Sequence, residues 1–336
     1  MKISKNLLLF NFIIINICSY EILFSNILIY ESNVSAPLIL LILGITIFLF
    51  IVIYPNIYHK LFNKIENNII LKIFFLLYLV IIITYSFSFV TFILKNWFYH
   101  KTPFIFILLF LLISVSIISK NKLFIIYNSF ITGIILICFN LLPIFNSIPR
   151  NYSFINDLKL SFDYKYFFLL FTFVDSLILL FYSNNLNEKL SKKCILISFG
   201  LIIIFSFLML VENYLFLIPD VFINTVNPGF LKYQIYFVNY LIDNIDVILI
   251  INIIFFCFSK LSIYLNMFKT LFNTRNKKTF NYLTNIVLFL LSLVFYSLIF
   301  TNKLILNDLS LPLTIILSLV FIISLFCKKE VNNEVL

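Results

Sequence analysis

Residues 247–268 read VILIINIIFFCFSKLSIYLNMF, an apolar run long enough to cross the hydrocarbon of a bilayer, with Lys260 set deep inside it. A membrane span needs about 20 mainly apolar residues, and this run supplies them without a proline or a glycine. From such a depth the lysine stem cannot easily carry its charge to either surface. The ammonium therefore needs a carboxylate, or carbonyl oxygens at a helix end, provided by the protein itself. Only a group of helices can enclose such a residue. The stretch predicts a helical membrane protein with a buried polar centre.

The rest of the chain repeats the pattern. Ten spans are expected: Leu7–Tyr30, Ala36–Tyr54, Ile69–Leu94, Pro103–Ser119, Leu123–Ile148, Tyr166–Ser183, Cys194–Leu217, Val247–Phe268, Phe280–Thr301 and Leu309–Cys327. Across all 336 residues 62% are hydrophobic and 11% charged, more apolar side chain than a water-soluble core can hide. The first run follows Lys2 and Lys5 like a secretory signal. It is long, lacks a small-residue cleavage site and precedes many further spans, so it reads as a transmembrane helix. Prolines fall at span edges (Pro37, Pro55, Pro103, Pro219, Pro312), where a missing N–H is least costly; Pro143 lies inside the fifth span as an expected kink. The five cysteines are scattered through apolar runs without a C-x-x-C pair, which reads as small buried hydrophobes and not as disulfides or a zinc site.

Orientation follows from the basic residues. With a cytoplasmic amino terminus, sixteen lysines and arginines fall on that side and seven on the other, Lys260 making up the total of 24. This positive-inside bias places both termini in the cytoplasm. The net charge of +10 is explained by topology and anionic headgroups, and no nucleic-acid partner is expected. Two long connections, Pro55–Asn68 and Ile218–Asp246, occupy equivalent places if the single membrane domain 1–336 consists of two five-helix halves of opposite topology, about 7–148 and 166–327.

Two more spans carry an acid near mid-membrane. In the first, Asn16-Ile17-Cys18-Ser19-Tyr20-Glu21 interrupts the apolar helix; a break there would free backbone groups for a ligand, with Cys18, Ser19, Tyr20 and Glu21 around it. In the sixth, Phe171-Thr172-Phe173-Val174-Asp175-Ser176 places Phe171, Thr172, Val174 and Asp175 at a similar depth. An acid at that depth could hold a ligand ammonium or carry a proton. The alternative for both is structural: a protonated carboxyl bonded to a neighbouring helix. Lys260 and Ser262 in the eighth span are the candidates for charge coupling. Glu212 lies toward an outer span end, within reach of headgroup water, and Trp97, Tyr99 and His100 read as an interfacial anchor. There is no H-E-x-x-H, Walker loop or G-x-G-x-x-G, so no catalytic residue, metal site or cofactor is expected. The short external loops argue against a membrane enzyme of glycan or lipid assembly.

Ile3-Ser4 before the first span, Lys101-Thr102-Pro103 leading into the fourth, the Phe-rich stretch before Asp175, and above all Asp243 to Phe272 with its embedded Lys260-Leu261-Ser262 and following Tyr264 carry a resemblance over nearly the whole chain. The chain resembles the spore germination permeases, the B-type subunits of germinant receptors, within the amino acid/polyamine/organocation transporter superfamily. Two positions depart from that pattern: Cys18-Ser19 where Gly-Ser is expected, and Val174-Asp175 where Gly-Glu is expected. The resemblance implies an all-α fold of the leucine-transporter type, ten helices in a 5+5 inverted repeat with helices 1 and 6 broken around a midplane site. It further implies a small amino-acid-like germinant as ligand, a large membrane subunit and a lipoprotein as partners, and residence in a bacterial inner membrane, that of the spore. In that fold spans one and eight flank a sodium position, where Lys260 would put a fixed cation. A proton-coupled amino-acid permease using the same pocket is the second expectation.

Overall fold

The computed structural model describes residues 10, 13, 36–53, 65, 67–97, 99–146, 192–216, 245–272 and 278–301. Among them are seven α-helices and no strand: α1 (Ala36–Ile53), α2 (Ile69–Trp97), α3 (Phe104–Ile118), α4 (Lys122–Asn146), α5 (Lys192–Phe216), α6 (Ile245–Leu271) and α7 (Lys278–Thr301). These match the second to fifth and seventh to ninth expected spans to within three residues at each end. The first, sixth and tenth spans fall outside the described residues, apart from Phe10 and Ile13. The all-helical class is thus observed. The ten-helix count is taken up below.

Local chemistry sets the helix ends. Asn68 caps α2, its Oδ1 accepting from the backbone N–H of Ile70 at 3.0 Å and of Leu71 at 3.3 Å, two of the donors a helix start leaves unpaired. Pro103 precedes α3 with φ −58° and ψ 134°, an extended residue whose missing N–H costs nothing there. Asn121 caps α4 through its Oδ1 and the Phe124 N–H at 3.2 Å. Between them the turn Ser119–Asn121 reverses the chain after α3. The fourth helix continues through Pro143 and ends at Asn146, so that proline sits in its last turn.

The packing has a centre. The sixth helix lies against α2, α3 and α4; α2 also packs on α3 and α7, α3 on α7, and α1 on α5. Residues 82–94 of α2 and 259–268 of α6 are buried on every side. Chain directions follow from paired contacts. On α4 and α6, Asn128 meets Phe255 while Thr132 meets Asn252, so these helices are antiparallel. Ser262 meets Val115, and further along Lys269 comes near enough to Lys120 to feel its charge, so α3 and α6 run the same way. Ser88 meets Ser292, and Lys95 reaches Tyr296 through the Phe104 ring, so α2 and α7 are parallel.

Many large apolar side chains face outward while several polar ones are buried. On α7 the buried positions include Thr284, Ser292 and Tyr296, while Leu283, Ile286, Val287, Leu290 and Val294 are exposed. On α3, Phe106, Phe110, Ile113 and Ile117 form an exposed stripe. Continuous apolar surface of this kind is rare on a monomer in water, and it is the distribution expected where lipid is the solvent. One described helix, Ile69–Asn96, is long and apolar enough to cross a membrane by length and composition.

Candidate functional site

Helix α6 carries two polar faces. One is a ladder to α4: Asn252 Nδ2 donates to the Thr132 carbonyl at 2.8 Å, and Asn128 Nδ2 donates to the Phe255 carbonyl at 3.1 Å and to Ser259 Oγ. Thr132 closes the ladder by donating to the Asn128 carbonyl at 2.7 Å. Ser262 belongs to a neighbouring strip, its hydroxyl donating to the Val115 carbonyl of α3 at 3.4 Å. Each bond satisfies a group that would otherwise sit unpaired in an apolar interior. Asn128→Ala removes two bonds at once and is expected to lower stability by about 1 kcal/mol, the scale of interhelical hydrogen bonds in membranes. Melting of the purified protein in detergent measures it; an unchanged midpoint would show that the ladder contributes nothing.

The other face holds Lys260. It is 2% exposed, and its Nζ lies over the Tyr264 ring, 5.5 Å from the centroid, one helical turn along. An ammonium on the face of a desolvated aromatic ring gains from the ring quadrupole. Ser262, two residues on from Lys260, sits about 200° round the helix, so the two expected charge-coupling residues do not share a face. Within the described helices the only acids are Glu212, near the end of α5, and Asp246, in the first turn of α6. Asp246 is fourteen residues from Lys260, about 21 Å along the helix at 1.5 Å per residue, too far to neutralise it.

On α2 the run Thr84 to Thr91 lines the interior with hydroxyls. Most bond back to their own helix: Thr84 to the Val80 carbonyl at 2.8 Å, Thr91 to that of Phe87 at 2.7 Å. Ser88 also donates across to the Ser292 carbonyl of α7 at 2.8 Å, fixing α2 against α7. After these bonds are made, the buried Tyr264 hydroxyl, Ser86 Oγ and Asn266 Nδ2 find no hydrogen-bond partner among the described residues. Toward one end of the bundle Phe104 stacks on Tyr296 at 4.3 Å, with the Lys95 ammonium over the Phe104 ring, 5.8 Å from its centroid. At the opposite end Lys269, just beyond the eighth span, has its ammonium pKa pushed below the ordinary lysine value by burial and then by the charge of Lys120.

Of the residues singled out from the sequence, Lys260 and Ser262 are described; Cys18, Ser19, Tyr20, Glu21, Phe171, Thr172, Val174 and Asp175 lie outside the described residues. Sequence reasoning did not single out Asn128, Asn252 or Ser86, and gave Tyr264 no role. A signal existed: Asn252, Ser259 and Asn266 recur every seven residues, which keeps them on one side of a helix.

No model of a known protein family matches the chain. Comparison with characterised proteins also gives no match.

Proposed function

We propose that this chain is a ligand-sensing membrane subunit of a spore germinant receptor, with ten transmembrane helices in two inverted five-helix halves and a small amino-acid-like molecule bound near the membrane midplane. The observation that carries the reading is the buried cation. Lys260 is enclosed at the centre of the packing, its ammonium over the Tyr264 ring, in a chain whose described helices expose apolar faces. A charge so placed is expensive and is characteristic of ligand and ion pathways. Glu21 and Asp175, the acids placed deep inside apolar runs, are the natural sources of its counter-charge.

The helix arrangement supports the repeat. With α1 to α4 counted as spans two to five and α5 to α7 as seven to nine, exchanging each span with the one five later maps α1 onto α5, α2 onto α6 and α3 onto α7. Under that exchange α2–α7 becomes α3–α6, another observed contact, whereas α2–α3 becomes α6–α7, which is not among the close pairs. The directions agree, since α2 is antiparallel to α6 and α3 to α7, as inverted halves require. The antiparallel setting of α4 and α6 also demands an even number of crossings between them. Helix α5 is one, and the apolar run Tyr166–Ser183 with Asp175 is our candidate for the other.

Sensing requires only that the ligand bind two packings of the bundle with different affinity. The second reading, a proton-coupled amino-acid permease, draws on the same pocket, and the two intramembrane acids favour it as proton carriers. Counterflow of radiolabelled L-alanine, L-leucine and L-phenylalanine in proteoliposomes, beside equilibrium binding of the same compounds, decides between them. A sensor is expected to bind without flux. Sustained counterflow makes it a permease, and absence of both binding and flux would reject the pocket.

A further inference from the structure

We propose that Lys260 and Tyr264 on α6 form a carboxylate-binding subsite, so that the ligand presents its carboxylate to this helix; the proposal rests on the reading of the chain as a small-molecule binder. Two independent observations meet here. The first is a charged side chain, Lys260, buried to 2% exposure with its ammonium over the Tyr264 ring. The second is the Tyr264 hydroxyl, itself 2% exposed as a residue, with no hydrogen-bond partner among the described residues. A buried hydroxyl without a partner is unfavourable and rare in finished structures.

The chemistry of the pair selects its occupant. An ammonium only donates, and a tyrosine hydroxyl beside a positive charge is best used as a donor too. What they share is therefore an acceptor, and an anionic one, since hydrogen bonds from a charged donor to a charged acceptor are the strongest. With three N–H donors, Lys260 can serve a ligand oxygen while keeping another partner. The ammonium stands over the ring face and the hydroxyl projects from the ring edge, so a single acceptor atom at about 2.8 Å cannot serve both easily. A carboxylate can, with one oxygen directed to each donor.

The test uses the purified full-length chain in detergent. Apparent affinities are taken from the concentration dependence of the melting midpoint for propionate, L-alanine, L-leucine and L-phenylalanine, each beside its amide. At least one acid is expected to bind about tenfold or more tighter than its amide, the effect of one charge-assisted hydrogen bond. Tyr264→Phe keeps the ring under Lys260 and removes only the hydroxyl. It should weaken the acid about tenfold and the amide less, since the bond to a carboxylate is the stronger one. Amides that bind as well as acids overturn the subsite while leaving the small-molecule reading intact, and this comparison needs no variant to fold. If no acid or amide in the set binds, the reading itself fails and the subsite with it. A Tyr264→Phe protein that melts lower without ligand yet binds the acid as before shows that the hydroxyl serves an internal partner, which also overturns the subsite.

Discussion

Lys260→Met is expected to lose several kcal/mol of stability, or to fold and lose its response to ligand, whereas Lys260→Arg should rescue neither property. The ammonium is enclosed on all sides, so whatever answers its charge is enclosed with it. Removing one member of a buried ion pair leaves the other desolvated and uncompensated, at about 3–5 kcal/mol. Arginine keeps the charge but replaces a compact, rotatable donor with a planar fork that the same cavity does not fit. Measuring melting and ligand binding of Lys260→Met with and without sodium separates two roles. If the lysine is a built-in cation, ligand binding by the unmodified protein is indifferent to sodium. If it only locks helices together, the variant melts lower but binds ligand normally in the fraction that remains folded. Sodium-dependent binding by the unmodified protein would refute the built-in cation.

The second large effect is expected at Asp175. Asp175→Asn should abolish or severely weaken ligand binding, while Asp157→Asn, in the connection between the fifth and sixth apolar runs, should leave it unchanged. The contrast comes from solvation. An acid exposed to water is neutralised at little cost, but one inside hydrocarbon persists only through specific partners, and the amide cannot return their charge. Binding isotherms on both variants, after showing that each reaches the membrane, measure it. Equal losses, or no loss at Asp175, would remove this acid from the ligand site and leave it a helix-packing role.

Much of the helical architecture was legible because long apolar runs are simple to read. A span announces itself by length and apolarity, whichever neighbours it later meets, so the limits of α1 to α7 follow from the sequence to within three residues. Lys260 was legible for the same reason, as one charge in a run that has no business with water. The pairing of helices was not legible in the same way. Asn128, Asn252 and Ser88 look like ordinary small polar residues until α4, α6 and α7 are brought together, because the partner is a backbone carbonyl, and every residue has one. Tyr264 had no legible role because aromatic residues are frequent throughout the chain, at 19% of the total, and only the ammonium over its ring together with a hydroxyl left without a partner among the described residues sets it apart. The positions around Glu21 and Asp175 stay as the sequence presents them, outside the described residues.

The ladder between α4 and α6 has a consequence for how the chain is made. Its members are far apart in synthesis: Asn128 and Phe255 are separated by 127 residues and Thr132 and Asn252 by 120. At about 5–20 residues per second of elongation, α4 waits on the order of 6–25 s before its partner leaves the ribosome. During that interval its asparagine faces lipid or some temporary companion. A nascent chain truncated before α6 should therefore be more prone to degradation than one long enough for α6 to have left the ribosome.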